Sequence, residues 1–214
     1  MIGIYGGTFN PVHHGHLRTA LEVKELFNLE QLRLIPCRMP PHRDEPDVSG
    51  EMRMQMLKLA IAGTPGLQID RRELEREGAS YMVDTLQSLS EELGGDKALA
   101  LFIGSDAFAG LESWHQWRRL FHYAHIVVMT RPGFSRQQLP DFFSRRLVDN
   151  RELLQTRSNG CLFFQAVTLL DISATQIRRI IAAGGNPQFL LPESVLAFIR
   201  QNKLYQDAPL TTGY

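Results

Sequence analysis

Residues 6–16 read Gly6-Gly7-Thr8-Phe9-Asn10-Pro11-Val12-His13-His14-Gly15-His16, directly after the short apolar run Ile2 to Tyr5 and directly before a helical pattern. Strand, glycine-opened loop and helix in that order form a ready anion site. The first N–H groups of a helix have no partner within it, and its dipole favours negative charge there. His13 and His16 project toward one side of the first turn, and Gly15 between them leaves room for a ligand. Imidazoles add hydrogen-bond donors whose charge changes near neutrality. The stretch is expected to hold phosphate; the plainer alternative is a tight turn with two surface histidines. Gly3, Gly6 and Gly7 do not fit G-x-G-x-x-G, and no G-x-x-x-x-G-K-S/T occurs, so a dinucleotide-dependent oxidoreductase and a P-loop ATPase lose their main support.

Outward from this loop, short apolar runs alternate with helical patterns. Ile2 to Tyr5, Leu32 to Pro36, Leu67 to Ile69, Ala98 to Ile103, His125 to Thr130 and Leu162 to Val167 read as strands. Gly15 to Phe27, Gly50 to Ala62, Val83 to Leu93, Trp114 to Phe121, Ser173 to Ala183 and Glu193 to Gln201 read as helices. Near-continuous apolar strands separated by helices predict an α/β fold, a doubly wound parallel sheet with helices on both faces. In such sheets ligands bind beyond the carboxyl ends of the strands, where the opening loop emerges.

Composition narrows the partners. Lys plus Arg and Asp plus Glu both number 23 in 214 residues, so there is no global basic excess of the kind that marks a nucleic-acid or anionic-membrane binder. A small-molecule partner is expected. The Met1 to Leu17 stretch lacks a charged region followed by a long apolar one, and no apolar run approaches bilayer length, so cytoplasmic residence is expected. One domain is expected over residues 1–206, with 207–214 a polar tail. Cys37 and Cys161 form no C-x-x-C pair and read as two reduced thiols; no disulfide, zinc site or metal-ligating residue is assigned.

Two further signals lie downstream. Ile172-Ser173-Ala174-Thr175-Gln176-Ile177-Arg178 carries a capping-box pattern, Ser173 at the N-cap and Gln176 three residues on. Capping alone explains Ser173. Thr175 and Arg178 stand at i and i+3, where a hydroxyl, free N–H groups and a guanidinium could converge on one phosphate. Gly104-Ser105-Asp106 ends the very apolar strand Ala98 to Ile103, putting a glycine and a carboxylate at the ligand edge. Trp114 and Trp117 follow, and an indole face suits a flat heterocycle, although a single indole is more often core or rim. From Arg131 to Arg157 six arginines face three acids, read as a solvated surface or as a lobe that helps to hold phosphates.

Together these segments resemble a known family. The stretches 6–16 and 172–178 are similar to the two signatures of the nucleotidylyltransferase superfamily, the first of the form His/Thr-x-Gly-His. Pro40-Pro41-His42, Ser80-Tyr81-Met82-Val83-Asp84-Thr85-Leu86, Gly104-Ser105-Asp106 and Trp114 narrow the resemblance to the bacterial nicotinate-mononucleotide adenylyltransferases, from Ile2 to about Tyr205. The resemblance implies a Rossmann-like sheet and a Mg²⁺-dependent reaction of ATP with nicotinate mononucleotide, giving deamido-NAD and pyrophosphate. It assigns His13, His16 and Arg178 to catalysis. It assigns Gly6, Gly7, Thr8, Phe9, Gly15, Gly104, Asp106, Arg131, Ser173 and Thr175 to ATP, with Asp106 near the ribose. His42, Met82, Thr85, Trp114 and His115 go to the second substrate: Trp114 stacks on the pyridine ring, and main-chain groups near Met82 and His115 read the nicotinate carboxylate. Two departures matter. Asn10 stands where Asp is common, so no role needing charge is carried over there. Met82 stands where Thr is common, which is harmless only if that contact is made by the backbone N–H.

These residue types suit that chemistry. The nucleophile is a phosphate monoester, largely ionised at neutral pH because its second pKa is about 6, so no protein base is required. The difficulty is to bring two polyanions together and stabilise the leaving pyrophosphate, a task for positioning and preorganised positive groups. The rival readings are another transferase of the superfamily, such as phosphopantetheine adenylyltransferase or a cytidylyltransferase, and a nucleotide-binding protein without turnover.

Overall fold

The computed structural model describes residues 1–39, 48–131, 133–134 and 138–206; His42 and the 207–214 tail lie outside the described residues. Six parallel strands, β1 (Ile2–Gly7), β2 (Gln31–Pro36), β3 (Leu67–Ile69), β4 (Leu99–Gly104), β5 (His125–Thr130) and β6 (Leu162–Ala166), form one sheet in the order β3-β2-β1-β4-β5-β6. All six expected strands are present. Because the chain runs outward from β1 to β3 and then returns to β4, the order reverses between β1 and β4, and a crevice opens beyond their carboxyl ends.

Strand periodicity distributes the apolar side chains to two faces. Ala100, Phe102, Val127 and Met129 pack on one side with Ala20, Val23 and Phe27 of the α1 region, Met56 and Leu57 of α2, and Val195, Leu196 and Ile199 of α10. Their neighbours Leu99, Leu101, Ile103, Ile126 and Val128 pack on the other with Val83, Leu86 and Leu89 of α4 and Leu120 and Phe121 of α6. The helices concerned are α1 (His14–Leu26), α2 (Gly50–Ile61), α4 (Met82–Glu92), α6 (Leu120–Tyr123) and α10 (Glu193–Gln201). Helices therefore cover both faces, and the sheet interior is dry.

Shorter helices complete the chain: α3 (Arg72–Glu75), α5 (Ser105–Ala109), α7 (Asp141–Ser144), α8 (Leu153–Thr156) and the nine-residue α9 (Ala174–Ala182). One expected helix is broken. Over 114–121, Gln116 takes the left-handed conformation (φ 50°, ψ 37°), so Trp117–Arg119 forms a 3₁₀ turn and only the four residues of α6 are α-helical. A left-handed residue costs roughly 1–2 kcal/mol and cannot sit inside a right-handed helix. No described helix is long and apolar enough to cross a membrane.

Candidate active site

The loop after β1 turns into α1 with His13 as its N-cap residue in extended conformation (φ −147°, ψ 171°). The His14 N–H donates to the Leu190 carbonyl at 3.0 Å, and the first helical bond runs from the Leu17 N–H to the His13 carbonyl at 3.2 Å. Helix geometry leaves the Gly15 and His16 N–H groups without an intrahelical acceptor. The rings of His13 and His16 lie 3.7 Å apart, centroid to centroid, and 30° from coplanar. Both Nδ1 atoms are buried with no hydrogen-bond partner among the described residues.

Burial, with a like charge beside each ring, pushes the pKa of His13 down to about 4 and that of His16 to about 3. Charge switching near neutrality is therefore corrected for the free protein: both imidazoles are neutral there. Gly15 is also corrected in its reason. A Cβ there would lie 3.0 Å from His13 Cε1 and Nδ1, so the glycine makes room for the histidine ring rather than for a ligand.

The start of α9 meets this turn. Ser173 caps it, its hydroxyl accepting from the Gln176 N–H at 3.1 Å. Arg178 donates to the Asn10 carbonyl at 2.7 Å and to the Thr175 hydroxyl at 3.4 Å, so the i, i+3 pair does converge. Tyr205 donates its hydroxyl to Asn10 Oδ1 at 2.6 Å. Asn10 is thus a structural joint, and its side chain accepts a neutral hydrogen bond rather than supplying charge. Arg131, at the end of β5, is exposed and pairs with Asp171 at 3.4 Å.

Beside this turn a cleft of about 370 Å³ opens between the ends of β1 and β4. Gly6, Gly7, Thr8, Gly104, Met82, Trp114 and His115, seven of the residues given to ATP or the second substrate, line it. A Cβ at Gly6 would come within 2.6 Å of Met82 Cε, the movable end of a flexible side chain that reaches over this strand end. Met82 is the first residue of α4, whose N-cap residue Tyr81 supplies no side-chain cap, so the Met82 N–H is one of that helix's free donors. Trp114 stands at the rim. Trp117, by contrast, is buried against Phe142 and Phe143 and belongs to the core. The His115 ring packs on Tyr81 at 4.3 Å.

Two expected side-chain contacts are not available. Phe9 has φ 48° and a fully buried ring packed against Tyr5 and His16, so only its main chain can meet a nucleotide. Thr85 is buried and does not line the cleft: its hydroxyl donates to Glu73 Oε1 at 2.7 Å and accepts from Arg76 at 3.2 Å. Asp106 is exposed in the first turn of the five-residue α5, at the ligand edge but outside the cleft wall.

Sequence reasoning missed several wall residues. Tyr5 lies behind Gly6, its phenol pushed up to about 12 by burial. Burial also raises the Cys37 thiol, which makes it a wall group rather than a nucleophile. Glu73 lines the cleft while only 3% exposed, and burial raises its carboxyl above the usual range. Arg53, 1% exposed, ties the two loops together from below. It donates to the Thr8 and Cys37 carbonyls at 2.7 Å each, to Val48 at 3.1 Å and to Arg38 at 3.3 Å. Its signal was a lone arginine in an otherwise ordinary amphipathic helix.

A cytidylyltransferase-like family model matches residues 4–180. A probable nicotinate-nucleotide adenylyltransferase of Methylococcus capsulatus is 47% identical over 209 residues, covering 96% of this chain and 99% of that protein. The chain belongs to the nicotinate-nucleotide adenylyltransferase family. A second relative of that name, from Halorhodospira halophila, is 50% identical over 198 residues, covering 91% of this chain and 90% of its own. Among solved structures, the Plasmodium falciparum nicotinic acid mononucleotide adenylyltransferase complexed with NaAD superposes with a TM-score of 0.71 at 17% identity, covering 95% of this chain and 96% of that one. The same enzyme complexed with APC gives 0.70. At 17% identity that likeness shows the fold, a Rossmann-like α/β one.

Proposed function

We propose that the chain transfers AMP from ATP to nicotinate mononucleotide, forming nicotinate adenine dinucleotide and pyrophosphate in NAD biosynthesis. The observation that carries this reading is the adjacency of two unlike sites. A polyanion site, where His13 and His16 at the start of α1 face the start of α9, borders a half-open cleft with an indole at its rim. One suits a triphosphate and the other a flat ring on a ribose phosphate.

The residue roles follow. His13, His16 and Arg178 stabilise charge on the transferring phosphoryl group and the departing pyrophosphate. A bound triphosphate brings the negative charge that draws protons onto the two imidazoles, and their unpartnered Nδ1 atoms have bonds to gain. Gly6, Gly7, Thr8, Gly15, Gly104, Ser173 and Thr175, with the Phe9 main chain, surround the nucleotide, and Asp106 and Arg131 stand at its exposed side. Trp114 stacks on the pyridine ring, while the Met82 N–H and a main-chain donor near His115 read the carboxylate. Two donors favour the acid over the amide, whose NH₂ would meet them donor to donor.

Among the described residues no three His, Cys, Asp or Glu side chains converge into a metal cage, and Asp106 is a single carboxylate. Asp106 would meet Mg²⁺ through the ion's waters, and Mg²⁺ held chiefly by the ATP phosphates would supply charge neutralisation there. We read residues 1–206 as one catalytic unit acting in the cytosol on small nucleotides, without nucleic acid or membrane.

Pyrophosphate release from ATP and Mg²⁺ tests the reading, with nicotinate mononucleotide, nicotinamide mononucleotide and phosphopantetheine supplied separately. Strong release with the first alone supports it. Release with phosphopantetheine alone keeps the chemistry and overturns the substrate; ATP binding without release for any of them leaves a nucleotide-binding protein.

A further inference from the structure

Glu73 is an expensive residue to bury. It sits in the four-residue α3, almost fully covered, with one edge on the cleft. Its Oε1 accepts from the Thr85 hydroxyl at 2.7 Å, and Thr85 in turn accepts from Arg76 at 3.2 Å. The Ser80 hydroxyl acts on the same carboxyl. Ser80 also accepts from the N–H groups of Arg38 and Met39 at 3.0 and 3.4 Å, joining this point to the chain that leaves β2.

Ser80 and Thr85 bracket Met82, two residues before it and three after. The start of α4 between them has no side-chain cap from Tyr81. An apolar pair in place of Glu73 and Thr85 would fill the volume without desolvating a carboxyl. What the polar pair adds is a directed placement, because Glu73 Oε1 and the Thr85 hydroxyl meet in one geometry.

We propose that Glu73 is the positioning residue of the ring end of the cleft, holding the first turn of α4 through Thr85 and Ser80 so that the Met82 N–H meets the nicotinate carboxylate at a fixed point. This rests on the function proposed above and deepens it. Thr85, expected to touch substrate, acts through Glu73. Burial raises the carboxyl pKa, which lessens the cost of placing this group in the wall of an anion's cleft.

The test compares wild type with Glu73→Gln and Thr85→Val by steady-state kinetics with nicotinate and nicotinamide mononucleotides, alongside thermal melts. Thr85→Val is nearly isosteric and keeps the inference testable where a Glu73 variant folds poorly. The expected result is a KM for nicotinate mononucleotide at least tenfold higher in the variants. The KM for ATP should stay within twofold, kcat within threefold, and the preference for the acid over the amide should fall at least fivefold. A lowered Tm with both KM values unchanged would make Glu73 a purely structural residue and overturn the inference. An equal loss across both substrates and kcat would overturn it too. Wild type without turnover of nicotinate mononucleotide removes the proposed function itself, whereas active wild type with unaltered variants removes only this step.

Discussion

His13 and His16 stack ring against ring at 3.7 Å, each with its Nδ1 buried and unpartnered among the described residues. Two imidazoles this close cannot both be charged in the free protein without strong mutual repulsion, and burial already disfavours the first proton. A polyanion is what reverses that balance. In the free protein both rings are therefore neutral at pH 7, and the role proposed for them requires a bound polyanion to favour their charged forms.

Removing one such group costs turnover rather than folding. His16→Ala is expected to lose on the order of 10²-fold to 10³-fold in kcat, with an unchanged circular dichroism spectrum and cooperative melt. Pyrophosphate release under saturating substrates measures it, and near wild-type turnover would remove His16 from the mechanism.

The same burial makes stability depend on pH. Each ring titrates at about 4 or 3 in the folded chain against an ordinary 6.5. The unfolded state thus binds more protons between pH 6.5 and 4, and stability is full above 6.5 and lost as pH falls. The slope is about 1.4 kcal/mol per pH unit for each histidine. Buried His125 shifts in the same direction, while Glu73, raised by burial, opposes them with one proton. Urea unfolding of the free protein at pH 7, 5.5 and 4.5 should show a falling midpoint, and a doubly substituted His13→Gln, His16→Gln variant a flatter profile.

Met82 separates main chain from side chain. It is the first residue of α4, where proline is tolerated, and Tyr81 before it is already extended (φ −91°, ψ 126°), as a residue before proline must be. Met82→Pro therefore deletes the N–H and keeps the helix. The KM for nicotinate mononucleotide should rise about tenfold, the loss of one hydrogen bond to a charged group, while Met82→Ala stays within threefold. Equal behaviour of the two variants would deny the N–H its role.

Arg53 carries both loops at the ligand edge on one guanidinium. Arg53→Met leaves the Thr8 and Cys37 carbonyls buried without that donor, each at a cost of about 1–3 kcal/mol. Unfolding free energy should drop by at least about 3 kcal/mol, and the KM for ATP should rise in whatever fraction remains folded. Chemical denaturation and ATP titration check the two halves of this expectation.

The sheet was legible because its strands are short apolar runs separated by helices, and the runs at Ile2, Leu32, Leu67, Ala98, His125 and Leu162 all became strands. The meeting of the 6–16 loop with the start of α9 involves parts that lie in two continuous motifs, and each motif was legible by itself. What escaped was set by tertiary placement. Gln116 adopts a left-handed turn that no periodicity announces. Phe9 turns inward although its neighbours Gly7 and Thr8 face the cleft. Glu73 sits in Arg71-Arg72-Glu73-Leu74-Glu75-Arg76-Glu77, a charge run that reads as solvent-facing, and only tertiary placement, with α3 against β2 and the carboxyl on Thr85 of α4, buries it. Thr85 lay in the right motif, but its hydroxyl turns away from the ligand to Glu73.

Asn10 is reached by side chains 168 and 195 residues further along, from Arg178 and Tyr205. A growing polypeptide exposes its histidine loop within the first moments of synthesis, yet lacks the guanidinium and phenol that fasten it until nearly all described residues have left the ribosome. The fastening of this loop thus waits on residues 178 and 205. A fragment ending before residue 178 lacks the guanidinium that fastens the histidine loop.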